Sequence, residues 1–182
     1  MAILADESSR VMVQGITGRE AATFTRDMME YGTNVVAGVT PGKGGQSIHG
    51  VPVYDTVKQA MDHHRPDTSV ISVPPALVRE AVMESLDSGI RLLVTVSERV
   101  PRKDTVAFLE AAGEKNARVI GPNTLGLISP DRIKLGMAGG PVKDVKKAYM
   151  PGRIGIASRS GGMTTEIANL LTTHGIGQST CI

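Results

Sequence analysis

The sequence contains no tryptophan, and its aromatic residues are two phenylalanines and three tyrosines. Proteins that hold single-stranded nucleic acid stack bases on aromatic side chains, so no nucleic-acid partner is expected. Cysteine is as scarce. Cys181 stands alone, which excludes an internal disulfide, fits a reducing compartment and leaves no Cys and His cluster at metal-ligand spacing. No metal site is expected, and Cys181 is read as inert. No run approaches the ~20 apolar residues of a membrane helix, and Asp6 and Glu7 near the start match neither a secretory signal nor a transit peptide. The expectation is a cytoplasmic chain with no membrane partner. Charge excess is missing too: 20 Lys and Arg against 18 Asp and Glu give +2, so basic residues are weighed site by site.

The chain does have 182 residues, 41% of them hydrophobic, which is enough for one full core and part of a second. Short apolar runs rich in β-branched residues predict strands over Arg10–Gln14, Val35–Val39, Thr68–Val73, Leu92–Val96 and Arg118–Ile120. Between them, helices are predicted over Arg19–Tyr31, Thr56–His63, Ala76–Ser88 and Lys103–Asn116. Alternation of nearly continuous apolar strands with helices implies α/β architecture, a Rossmann-like doubly wound parallel sheet covered on both faces. This domain is expected over residues 1–123. A loop-rich stretch with Pro130, Gly136, Gly139, Gly140, Pro141 and Pro151 reads as a linker, 124–151. A further strand, turn and helix then open a second α/β unit over 152–182, which stops at Ile182 inside what reads as its next strand.

Two glycine turns follow the first two strands. In Gly15-Ile16-Thr17-Gly18-Arg19-Glu20-Ala21, Gly15 turns the chain out of the strand and Gly18 lets backbone approach a ligand. Thr17 to Glu20 place amides at a helix N-terminus, where the dipole favours an anion. Dinucleotide-binding folds that hold NAD carry an acid at the end of the second strand. Here that strand runs into Val39-Thr40-Pro41-Gly42-Lys43-Gly44-Gly45, with no acid. Pro41 stiffens the turn, the glycines are expected to expose amides, and Lys43 supplies a point charge suited to phosphate. Together these features indicate a phosphorylated nucleotide, coenzyme A before NAD, although NADP fits the same chemistry.

Ser72-Val73-Pro74-Pro75 and Val96-Ser97-Glu98 leave the third and fourth predicted strands at the same edge, where ligands of open parallel sheets sit. Val73 and Pro74 are candidate walls for an adenine or pantetheine tail, and Ser97 and Glu98 are candidate polar contacts. Ser158-Arg159-Ser160-Gly161-Gly162 repeats the anion-site design before the last helix. Capping alone also explains Ser160. His49, His63, His64 and His174 stand in no catalytic or metal-type spacing.

These motifs, with Gly121-Pro122-Asn123 and Gly175-Ile176-Gly177-Gln178-Ser179-Thr180, resemble the alpha subunit of succinate-CoA ligase (succinyl-CoA synthetase) and its NDP-forming acyl-CoA synthetase relatives. The resemblance covers nearly the whole chain. It implies that the N-terminal domain binds CoA through Thr17, Gly18, Arg19, Glu20, Lys43, Val96, Ser97 and Glu98, and that the second unit begins a truncated flavodoxin-like domain. It further implies a nucleotide-binding beta subunit as partner, and Ser160 and Gly161 facing a histidine phosphorylated during turnover. The family reaction passes a phosphoryl group through that histidine and uses the CoA thiol on an acyl phosphate. The segment bearing the histidine is not in this sequence, so no catalytic residue is assigned here. The sequence departs from the family at Arg19 and Glu20, which replace Ser and Gln, at Ser72, which replaces Tyr, and at Thr124-Leu125, which replace Cys-Pro. Thr165 stands where a Tyr shapes the acid-substrate end, so the acid is succinate or a related carboxylic acid. A stand-alone CoA-binding regulatory module and an NADP-dependent oxidoreductase are the alternatives.

Overall fold

The apolar runs become the buried centre of a seven-stranded sheet. A computed structural model describes residues 2–182. Strands β1 (Val11–Gln14), β2 (Val35–Val39), β4 (Val51–Tyr54), β5 (Thr68–Ile71), β6 (Leu92–Thr95) and β7 (Arg118–Ile120) run parallel, and β3 (Ser47–Ile48) pairs antiparallel with β4 at one edge. The order is β3-β4-β2-β1-β5-β6-β7. The six parallel strands therefore follow the doubly wound Rossmann order, which reverses direction between β1 and β5.

Helices α2 (Val57–His64), α3 (Val78–Asp87) and α4 (Arg102–Glu114) cover one face through Val57, Ala60, Val82, Leu86 and Phe108. On the other face lies α1 (Arg19–Tyr31), which buries Ala21, Phe24, Thr25 and Met28 at helical spacing. Phe24 and Met28 each contribute about 1.5–3 kcal/mol by burial. Helix α1 stops at Gly32, whose φ of 105° lets its N–H reach the carbonyls of Met28 and Met29.

One helix cannot cover the second face, and the stretch expected as a linker, 124–151, fills the gap. Its composition reads as loop, yet it forms a hairpin, β8 (Gly126–Ser129) and β9 (Ile133–Gly136), followed by α5 (Val142–Ala148). Leu127, Ile133 and Leu135 join the same core as Phe24 and Met28. The Gly136 N–H donates to Met28 Sδ (3.1 Å), and Thr33 Oγ1 donates to the Lys134 carbonyl (2.7 Å). The hairpin also extends the second sheet. There β10 (Pro151–Ile156) and β11 (Gln178–Cys181) pair in parallel around α6 (Gly161–Thr173), and β11 pairs antiparallel with β8.

Sequence reading also passed over β3 and β4. Pro52 interrupts the four-residue run of β4, and proline is tolerated where no ladder N–H is needed. Among the described residues no helix is long and apolar enough to cross a membrane.

On β9, Lys134 has no exposed surface, and its ammonium donates only to the Gly136 carbonyl at 3.2 Å. Burial pulls its pKa down from 10.5, and the Asp27 charge offsets part of this. The unfolded chain thus holds this proton more tightly than the folded one. Stability rises with pH between the lowered folded value and 10.5, and the penalty is full below that window. Lys134→Met is expected to stabilise the chain at pH 7 by about 1–3 kcal/mol. Urea melts of both proteins at pH 7 and pH 10 test this, with the gap expected to narrow at pH 10.

Candidate functional site

The switch point between β1 and β5 is where the first turn sits. Gly15 leaves β1 with φ 77°, and its N–H donates to the Val39 carbonyl at 2.7 Å. A Cβ on Gly15 would lie 2.0 Å from the Ser72 carbonyl oxygen, so the loops after β1 and β5 meet with no room for a side chain. The Gly18 N–H closes the turn onto the Gly15 carbonyl (2.9 Å), and no side chain caps α1. The first amides of α1, from Arg19 onward, therefore face outward at the positive end of the dipole, with Gly18, Arg19 and Glu20 exposed around them. Glu20 in the first turn favours the helix but repels an anion placed on its axis. Arg19 has the opposite effect on that anion.

Thr17 Oγ1 donates to Thr40 Oγ1 (3.3 Å) and ties this turn to the loop after β2. In that loop Pro41 and Lys43 are exposed, and Lys43 makes no ion pair or side-chain hydrogen bond among the described residues. Its ammonium is free for a ligand. The expectation that the glycines expose amides fails at Gly44 and Gly45, whereas the Gly42 N–H has no partner among the described residues. The Lys43 N–H donates to the Thr40 carbonyl (3.0 Å), Gly44 to Asp55 Oδ1 (2.9 Å), Gly45 to the Val53 carbonyl (3.0 Å) and Gln46 to the Lys43 carbonyl (3.2 Å). Hydrogen bonding within the protein uses these donors, so anion binding falls to the Lys43 charge, the exposed Gly42 amide and the start of α1.

Three more loops are stitched along the same edge. Ser97 Oγ accepts from the Val73 N–H (3.2 Å) and donates to the Val73 carbonyl (2.6 Å), while the Ser97 carbonyl accepts from the Asn123 N–H (3.0 Å). The loops after β5, β6 and β7 are thereby fixed relative to one another. Ser72 and Val73 are half-buried, and Pro74, Glu98 and Asn123 are exposed at this rim. Val39 and Val96 differ from the expectation: both side chains are buried, 3% and 4% exposed. Strand alternation turns them into the two core layers, so only their backbones face the rim.

Beyond β7 the Gly121-Pro122-Asn123 turn and the start of α6 enclose a cavity of about 580 Å³. Ser158, Arg159, Gly161 and Gly162 line it, with Tyr149 and Thr165 in its wall. Ser160 acts as the helix cap, its Oγ accepting from the Met163 N–H at 3.4 Å. A Cβ on Gly161 would lie 2.3 Å from Leu125 Cδ1, so the helix start presses on the segment that follows Asn123. Burial raises the Tyr149 phenol above its usual range against the hydrogen bond its hydroxyl makes with Thr165 Oγ1 (2.9 Å). Burial also pushes the Cys181 thiol up to about 11, so it stays protonated and unreactive at neutral pH.

Residues 6–99, over half of the chain and spanning the first turn, the Lys43 loop and the Ser97 loop, match the family model described as CoA binding domain. The chain belongs to the CoA-binding domain family. Over all 182 residues it is 47% identical to a succinate–CoA ligase [ADP-forming] subunit alpha of Archaeoglobus fulgidus, covering 61% of that protein. It is 41% identical to a subunit of an ADP-forming sulfoacetate-CoA ligase from Acholeplasma, covering 60%. The chain thus spans about three fifths of the length of these relatives. Among solved structures, ATP citrate lyase from Methanothrix soehngenii in complex with citrate and coenzyme A superposes with a TM-score of 0.87 at 23% identity. The superposition covers 98% of this chain and 31% of that one, and shows a shared fold.

Coenzyme A is the ligand of a CoA-binding domain, and the candidate residues at the switch point form one continuous rim. Asn123, at the end of that rim, also lines the cavity, together with Ser158, Arg159, Gly161 and Gly162. Sequence reading missed Asp55, which stands beside the Lys43 loop, because β4 went unread. It also missed Tyr149, which lies inside the expected linker. The only signal for Tyr149 was a large aromatic following the Lys146-Lys147 pair.

Proposed function

We propose that this chain is the CoA-holding portion of the alpha subunit of an ADP- or GDP-forming acid-CoA ligase acting on succinate or a related carboxylic acid. One observation carries the reading: Lys43, a cation with no ion pair among the described residues, stands in the loop that Thr40 ties to the turn opening the uncapped α1 at the sheet's switch point. There the α1 amides and Lys43 take the phosphates of CoA, and Val73 and Pro74 wall its adenosine or pantetheine part. Thr17, Thr40 and Ser97 hold the loops in register. Bound CoA supplies a thiol nucleophile for the acyl group. The turn at Ser158–Gly162 serves the phosphoryl-transfer end.

In this reading residues 1–123 are the CoA domain, 124–151 join it to the ligase half that 152–182 begins, and a nucleotide-binding beta subunit completes the site in the cytoplasm. The relatives' names support this, since they include CoA ligases for two different acids. Titration calorimetry with CoA and NADPH tests the ligand, and co-purification with a beta subunit of this ligase type tests the assembly. CoA binding with beta-subunit capture is expected. Preference for NADPH, or a chain that ignores the beta subunit, overturns the reading.

A further inference from the structure

The acid that dinucleotide-binding folds keep at the end of the second strand is missing here, but β4 delivers another one beside the same loop. Asp55 follows β4 and is half-buried. Its Oδ1 accepts the Gly44 N–H at 2.9 Å, and a Cβ on residue 44 would lie 2.5 Å from its Oδ2. The carboxylate therefore occupies the space a side chain at 44 would need. Asp55 is itself held in place. Its N–H donates to Gln59 Oε1 (3.1 Å), and the Gln59 N–H donates to Thr56 Oγ1 (3.2 Å) at the start of α2. It forms no ion pair among the described residues.

A carboxylate beside a phosphate site repels the ligand, so its presence needs an offsetting role. The loop's bonding supplies one. Thr40 and Gly45 are tied to the β4 backbone through Tyr54 and Val53. Between those anchors Gly42, with φ 76°, and Lys43 form the tip; backbone bonds from Lys43 to Thr40 and from Gln46 to Lys43 fold it, and among the described residues the Asp55 bond to Gly44 is its one side-chain tether beyond Thr40. An anionic acceptor makes a stronger bond to an amide than a neutral one. We propose that Asp55 is a positioning residue that sets the Lys43 loop and so determines the preference for a 3′-phosphorylated adenosine carrier. The proposal rests on the reading of Lys43 as the phosphate contact.

Calorimetry on the full chain with CoA and dephospho-CoA tests it, using Asp55→Ala, Asp55→Asn, Lys43→Ala and the Asp55→Ala/Lys43→Ala pair. Asp55→Ala is expected to weaken CoA about fivefold and dephospho-CoA less than twofold, and Asp55→Asn, which keeps an acceptor oxygen, to restore most of the loss. In the Lys43→Ala background, Asp55→Ala should change CoA affinity less than twofold, because residues acting through one contact are not additive. An Asp55→Ala effect that is equal for both ligands, that persists undiminished without Lys43, or that strengthens CoA binding overturns the positioning role alone. If Lys43→Ala leaves the ratio of the two ligands unchanged, the phosphate reading fails and the proposal with it. Circular dichroism melts verify that each variant is folded.

Discussion

Gly15→Ala is expected to cost about 2–6 kcal/mol of stability and to remove measurable CoA binding. Two penalties add. At φ 77° an L-residue is strained by about 1–3 kcal/mol, and the new methyl would sit 2.0 Å from the Ser72 carbonyl oxygen. Backbone on both sides must then move, and overpacking of this kind costs about 1–3 kcal/mol. Movement separates the loops after β1 and β5, and with them the start of α1 from the wall at Val73. Gly32→Ala is the control. Its φ is 105° but no atom lies within 4 Å of the added Cβ, so it should lose only the strain, about 1 kcal/mol, and bind CoA normally. Denaturant melts and calorimetry on both variants decide the matter. Equal losses for the two would show that close approach of the loops is unimportant.

Lys43→Ala should weaken CoA about tenfold, which is about 1.4 kcal/mol, and leave dephospho-CoA within twofold. The selective loss follows from the loop's bonding. With the Lys43, Gly44 and Gly45 amides committed inside the protein, the ammonium is the loop's main means of gripping a phosphate. An exposed contact is screened by salt, so the wild-type preference for CoA should shrink between 50 mM and 500 mM NaCl while the variant's ratio of the two affinities hardly moves. Equal weakening of both ligands by the substitution would place the lysine elsewhere than at the 3′-phosphate.

The Rossmann sheet was legible because its central strands are buried on both faces and are therefore mostly apolar and β-branched. Val11–Gln14, Thr68–Ile71 and Leu92–Thr95 have no exposed position, and their runs stand out from the helices between them. Glycine at 15 and 18 was legible for a similar reason: its place between a strand and a helix has few uses. Residues 126–136 were not legible, since Gly, Pro and Asp signal turns and the burial of this hairpin comes from α1, more than a hundred positions away. Nor does adjacency reveal direction. Val39 and Val96 belong to the right loops, yet alternation points both inward. Asp55 was hidden because its partner, Gly44, is reached only once β4 lies alongside β2.

Helix α1 serves both halves of the molecule. Its first turn is the proposed seat of the ligand's phosphates, and its buried side packs with Leu127, Ile133 and Leu135 of the hairpin that extends the second sheet. A gene shortened to end at Asn123 would strip that apolar layer from Phe24 and Met28 and yield an aggregating fragment. Exchange of segments between relatives faces the same seam: residues 124–182 moved without the matching apolar side of α1 arrive with a hairpin that fits nothing.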